Sequence, residues 1–161
     1  MGVALEPRTA QLRETGLRVT AGRLAVLDAL DELEGDHPDV ARILTVVRRR
    51  LGSISIQAVY NALDALSHAG LVRRIEPAGS PARFESRVGD NHHHIVCRSC
   101  GATADVDCLV GAAPCLSPDA ATGFTIDEAE VTFWGLCPSC QATSGRKARS
   151  PKTNTASRRQ Q

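Results

Sequence analysis

The chain has 161 residues and a formal net charge of +1 at pH 7; 42% of its residues are hydrophobic and only 3% aromatic. That length suits one ordinary domain or two small ones, and any core must be built from Leu, Val, Ile and Ala. No apolar run reaches the roughly 20 residues of a membrane span, and the opening MGVALEPRTAQ lacks the apolar stretch of a secretion signal, so a cytoplasmic protein is expected.

The small net charge hides an asymmetry. All 18 acidic residues precede residue 141, whereas 141–161 carries six basic residues and no acidic one. Residues 1–140 are therefore acidic, and any nucleic-acid contact there needs locally concentrated cations.

Residues 9–33, TAQLRETGLRVTAGRLAVLDALDEL, read as two helices. Leu12 and Gly16-Leu17 close the first. Thr20 caps the second, whose Leu24, Leu27 and Leu30 form an apolar stripe at helical spacing. After a loop at 35–39, a third helix runs through Val40, Ile43, Leu44, Val47 and Leu51 to Gly52. Arg48, Arg49 and Arg50 lie at its C-terminal turn, where cations suit the helix dipole. A fourth starts at 53–55, carries Val59, Leu63 and Leu66, and ends at Gly70. LVRRIE (71–76) and ARFES (82–86) are short extended runs joined by the turn-rich PAGSP.

Helices followed by a hairpin give the order of a winged helix-turn-helix, expected over 1–86. RVGD (87–90) reads as a hinge. ATADVDCL predicts a strand, 108–123 a short helix broken by Gly and Pro, and 124–136 a strand. Residues 91–142 then form a second, small α/β domain that needs metal or oligomerisation to hold together. The fold class is α+β. Residues 143–161 have no apolar pattern and are expected to be a disordered basic tail.

Cys97-x-x-Cys100 and Cys137-x-x-Cys140 are matched knuckles. Four thiolates suit tetrahedral structural zinc, and an intracellular setting favours metal over disulfides. Cys108 and Cys115 fall outside the pattern; they are either small buried hydrophobes or a redox pair.

NHHHIVC (91–97) places His92 and His94 on one face of an extended segment, with His93 opposite. Candidate partners lie at breaks in the structure: His37 in the first loop, Glu85 at the end of the hairpin, and Asp105 on the next strand. Such a mixed N/O set suits Fe(II), Mn(II) or Zn(II); the competing reading is a solvated histidine run. We find no H-E-x-x-H, G-x-S-x-G or phosphate loop, so an enzyme with a small-molecule substrate is not expected.

GLRVTAGRLAVLDAL, SISIQAVYNALDALSHAGLVRRIE, RFESRVGDNHHHIVCRSCG and the closing CPSC resemble the ferric uptake regulator family of metal-dependent repressors. GDNHHHIVCRSCG, ADVDC and EAEVTFWGLCPSC resemble most its actinobacterial FurA/CatR branch, whose genes neighbour a catalase-peroxidase gene. The resemblance implies structural zinc at Cys97, Cys100, Cys137 and Cys140. It implies a regulatory metal at His37, Glu85, His92, His94 and Asp105, holding Fe(II) or Mn(II), with Zn(II) possible. A third site of the family departs here: its positions hold Asn91, His93 and Ala129, and Glu128 and Glu130 are read as surface charges. The resemblance also implies a homodimer on a palindromic operator, paired through a strand at Phe124–Trp134. Peroxide-responsive repression of a catalase-peroxidase gene is the expected function, with iron- or zinc-uptake control as the alternative.

A winged helix sets its second helix-turn-helix element, here about 55–68, in the major groove of double-stranded DNA. Ser55, Gln57, Tyr60 and Asn61 are the candidate base-facing residues, and Arg18, Arg23, Arg73, Arg74 and Arg83 the candidate phosphate contacts. Where the family often has Arg, this chain has Asn61.

Overall fold

A computed structural model describes residues 5–109, 116, 123–126 and 129–147. Four helices come first: α1 Leu5–Glu14, α2 Ala21–Glu32, α3 Val40–Leu51 and α4 Ile56–His68. Short polar side chains start three of them. Thr20 accepts from the Arg23 N–H at 3.3 Å, Asp39 from Arg42 at 2.8 Å and Ser55 from Ala58 at 3.1 Å. Gly52, at φ 73°, ends α3 in a conformation a side chain would resist.

The aliphatic stripes meet in one core. Leu12 of α1, Val26, Leu27 and Leu30 of α2, Ile43 and Val47 of α3, and Val59, Leu63 and Leu66 of α4 are all buried together. The hairpin β1 (Arg73–Ile75) and β2 (Arg83–Glu85) is antiparallel, with Arg74 opposite Phe84, and drives Phe84 into that core. The winged helix-turn-helix order is thus realised.

The second part is a three-stranded sheet of order β4-β3-β5. β3 (His92–Cys97) is central; β4 (Thr103–Asp107) runs antiparallel to it and β5 (Thr132–Gly135) parallel. α5 (Pro138–Lys147) follows. With a neighbour on each side, β3 is buried at His92, His93, His94, Val96 and Cys97. Among the described residues, no helix is long and apolar enough to cross a membrane.

Two expectations need correction. The 124–136 segment is not one strand: only Thr132–Gly135 pairs with β3, and Phe124 and Ile126 are exposed outside any strand. Apolar residues stand at 124 and 126, then at 131, 133, 134 and 136, so they keep no single two-residue phase. One continuous strand would send them to opposite faces. The tail does not begin at 143 either, because α5 continues to Lys147. Pro138 suits the first helical position, its fixed φ pre-set and its missing N–H not needed. Residues from 148 onward, and the helix expected within 108–123 apart from residues 108, 109, 116 and 123, lie outside the described residues.

Candidate metal centres and the DNA-facing surface

The four knuckle cysteines converge. Their sulfurs lie within 4.8 Å of one another. The first knuckle is a tight turn in which the Gly101 N–H donates to the Cys97 carbonyl at 2.9 Å, Gly101 taking φ 72°. The second knuckle opens α5, with the Gln141 N–H donating to the Cys137 carbonyl at 3.0 Å. Across the gap the Cys137 N–H reaches Cys97 Sγ at 3.3 Å, and Cys100 Sγ stands 3.7 Å from Cys137 Sγ. Backbone donors at Cys137 and Cys100 lower the Cys97 thiol to about 6. Cys140 is pushed up to about 12: a hydrogen bond to Ser99 lowers it, but the neighbouring thiols of Cys137, Cys100 and Cys97 outweigh that. The backbone accommodates one thiolate; further negative charge needs a cation. None of the described cysteines is in a disulfide. Cys108 is half-buried, apart from this cluster, and Cys115 lies outside the described residues, so their pairing as redox thiols stays an expectation.

The second cluster draws on residues far apart in the chain. His37, Glu85, His94 and Asp105 bring ligand atoms within 4.8 Å of one another. His92 joins them through Nε2, 3.0 Å from Glu85 Oε1 and 3.9 Å from Asp105 Oδ1. Glu85 Oε2 faces His37 Nε2 at 3.1 Å and His94 Nε2 at 3.4 Å. Strand register explains part of this: His94 is directly opposite Asp105, and His92 lies two residues along the same face. His93 points the other way, its ring centroid 6.4 Å from that of Phe133. The three histidines are buried, which removes the solvated-run reading.

His37 reaches the cluster through its backbone. It has φ 45°, a left-handed conformation rare for a side chain with a Cβ. The loop around it is tied to β2 by the Phe84 N–H on the Pro38 carbonyl, 3.0 Å. Burial alone would raise the Glu85 carboxyl, but hydrogen bonds from His37 and His94 and the charges of His92 and His94 bring it down to about 2. Burial opposes charge on His37 too, yet Glu85 and Asp105 prevail and raise its proton affinity. Asp105 Oδ1 is enclosed by these groups, 2.7 Å from His37 Nε2, 3.7 Å from His94 Nε2 and 3.9 Å from His92 Nε2. Two carboxylates and three imidazole nitrogens converging in a buried space fit a cation. A cleft of about 520 Å³, lined by Leu30, Leu33, Phe84 and Arg87 among others, opens onto His37, Glu85 and Asp105.

The chain matches the ferric uptake regulator family over residues 14–132. It is 60% identical over 130 residues to the transcriptional regulator FurA of Mycobacterium tuberculosis, covering 81% of this chain and 87% of that one. With ferric uptake regulation protein 2 of Mycolicibacterium fortuitum the identity is 55% over 137 residues, 84% of this chain and 93% of the other. The fold matches the crystal structure of the Vibrio cholerae ferric uptake regulator at TM-score 0.61 and 25% identity, over 81% of this chain and 99% of that one. The chain belongs to the ferric uptake regulator family. It is a metal-dependent transcriptional regulator, not an enzyme, and sides with the mycobacterial FurA proteins.

The expected DNA-facing residues lie on α4, before and at the start of α2, and on the hairpin strands. Gln57, Tyr60 and Asn61 are exposed on α4, Gln57 donating to Asn61 Oδ1 at 2.9 Å. Asn61 lines two shallow depressions, one shared with Arg74, the other with Arg18 and Arg23. Ser55 is occupied as the α4 cap. Arg23 donates to the Arg18 carbonyl at 2.6 Å, Arg74 pairs with Glu76 at 2.7 Å, and Arg73 is half-buried on β1. Arg83 departs from the expectation. Its guanidinium turns inward, donating to the carbonyls of His37 at 3.3 Å and Gly101 at 3.2 Å, with Nε buried. It therefore bridges the His37 loop and the first cysteine knuckle rather than facing phosphate. Alternation cannot foresee this, because both acceptors are main-chain atoms distant in sequence.

The sequence reading missed Arg87 and Asp90, assigned only to a hinge. Arg87 contacts Asp105 Oδ2 at 3.1 Å, and Asp90 lies 2.8 Å from His92 Nδ1. The signal available was their place next to two ligand positions.

Proposed function

We propose that the chain is a peroxide-responsive repressor binding a palindromic operator as a homodimer, and that it controls a catalase-peroxidase gene and its own. Residues 1–86 are the DNA-binding unit, 87–90 the hinge and 91–142 the metal-binding dimerisation unit, acting in the cytoplasm. The cysteine set holds structural Zn(II). The set His37, Glu85, His92, His94 and Asp105 holds regulatory Fe(II) or Mn(II), with Zn(II) able to enter.

One observation carries this reading. The second cluster takes His37 from the helical part, Glu85 from the hairpin and its other members from the β3–β4 pair. A cation there ties the helices that face DNA to the sheet, fixing the spacing of two recognition helices in a dimer. If the tied state binds the operator better, metal shifts the population toward it.

Fe(II) held by His37, Glu85, His92, His94 and Asp105 would supply the one-electron chemistry that cleaves the O–O bond of peroxide. Net, one peroxide oxygen ends on an imidazole carbon of His92 or His94 and the other leaves as water. The modified ring loses its ligand geometry and the operator is released. The cleft onto the cluster gives a small oxidant a route in. The alternative, iron- or zinc-uptake control without peroxide sensing, draws on the similarity to ferric uptake regulation protein 2 of M. fortuitum.

The test is anaerobic operator binding by the zinc-loaded protein as Mn(II) or Fe(II) is added. Tightening of about tenfold, near 1.4 kcal/mol of coupling, is expected. His92→Ala should abolish it while keeping its zinc and its helical circular dichroism. Peroxide with Fe(II), but not Mn(II), should then release the DNA and add one oxygen to a peptide holding His92 or His94. Metal-dependent binding that survives peroxide unmodified would favour uptake control. A disulfide instead would move the sensor to the cysteines.

A further inference from the structure

We propose that Arg87 and Asp90, in the segment joining the hairpin to β3, form an outer ring that sets how two ligands face the second metal and so which metals are accepted. This rests on reading that cluster as a metal site. Asp90 Oδ1 lies 2.8 Å from His92 Nδ1, and Asp90 Oδ2 accepts from Arg87 Nε at 2.7 Å. Arg87 NH1 donates to Asp105 Oδ2 at 3.1 Å and NH2 to Asp107 Oδ1 at 3.0 Å. Asp107 is the register partner of His92, so the ring closes on the strand pair that carries the ligands.

Each contact decides one ligand atom. Both ring nitrogens of His92 face a carboxylate; a cation at Nε2, the atom facing Glu85 and Asp105, needs that lone pair, so the proton would then sit on Nδ1 and be donated to Asp90. Outer carboxylates of this kind fix the tautomer and ring angle of a ligating histidine. His92 is singular here: Nδ1 of His37 and of His94 is buried with no hydrogen-bond partner.

Arg87 acts on Asp105. It holds Oδ2, leaving Oδ1 alone to face the cluster, 2.7 Å from His37 Nε2 and 3.7 Å from His94 Nε2. Asp105 is thereby a one-oxygen ligand. Three imidazole nitrogens, one oxygen of Asp105 and one or two of Glu85 make a five- or six-ligand N/O set, suited to Fe(II) and Mn(II) over four-coordinate zinc. Folding does not need the ring: the Arg87 and Asp90 side chains are 37% and 43% exposed, and ion pairs so exposed contribute little stability.

The experiment is anaerobic Mn(II) titration of the full-length, zinc-loaded protein, with Zn(II) competition and X-ray absorption of the Mn(II)-loaded form. Asp90→Ala should weaken Mn(II) binding about 10–100-fold. Asp90→Asn, which keeps an acceptor for Nδ1–H, should lose less. Arg87→Ala should free Asp105 Oδ2, add an oxygen to the metal's surroundings and change the preference for Mn(II) over Zn(II). Cysteine-bound zinc and circular dichroism should stay at wild-type values throughout. Variants that bind Mn(II) within about twofold of wild type, an Asn variant as impaired as the Ala variant, or an unchanged absorption spectrum for Arg87→Ala would overturn the proposal. A wild-type protein taking up no second metal overturns the metal-site reading along with it.

Discussion

Arg83 carries the most consequence for a single residue. Its NH1 and NH2 donate to the carbonyls of His37 and Gly101, one beside each candidate metal cluster. A charged hydrogen bond contributes about 1.5–3 kcal/mol when its loss strands a partner. Arg83→Ala should therefore cost about that much in denaturant unfolding, whereas the salt slope of DNA binding should not change. Arg74→Ala, on the exposed wing, should leave stability nearly intact and reduce that slope by about one. The reverse pattern would return Arg83 to the DNA-facing set. His37 shows the same dependence on surroundings. Its φ of 45° is unfavourable alone, and it is held by the main-chain and arginine contacts from β2.

Among the elements, α4 has two faces with separate duties. Val59, Ala62, Leu63 and Leu66 are buried; Gln57, Tyr60 and Asn61 are exposed. Leu66, fully buried, should cost about 2–5 kcal/mol on replacement by Ala. Tyr60→Ala should stay within about 0.5 kcal/mol of wild-type stability yet weaken operator binding. Chemical denaturation and DNA titration of the two variants separate the faces, and equal stability losses would undo the division. In β3 the period of two still sorts His92 and His94 from His93, although both faces are covered. A covered strand loses the polar–apolar alternation by which sequence reading recognises it.

For the molecule as a whole, the cysteine cluster closes the smaller part. It joins the end of β3 to the start of α5, and among the described residues the sheet it closes has three short strands. If the cysteines hold zinc, as proposed, that metal would support so small an apolar core. Zinc removal by a strong chelator should abolish amide-exchange protection in β3–β5 and leave α2–α4 protected. Unchanged protection in the sheet would show that the cysteines do not hold it. The two clusters are also mechanically linked, since Arg83 spans from the His37 loop to Gly101.

The sequence by itself determined what depends on neighbours within a turn or two. The cap at Thr20, the leucine stripes, the hairpin, and the pairing of two C-x-x-C knuckles were legible, because each is set by spacing of a few residues. The metal-ligand candidates were legible in part from residue type and from the two-residue period of His92 and His94. Only the tertiary structure decided the rest. It turned Arg83 inward, ended the expected 124–136 strand at the four residues that reach β3, and joined Arg87 and Asp90 to the ligands. Those outcomes rest on contacts such as His37 with Glu85, 48 positions apart, and Arg87 with Asp105, 18 apart. Such contacts follow from how elements pack, and local periodicity carries no record of them.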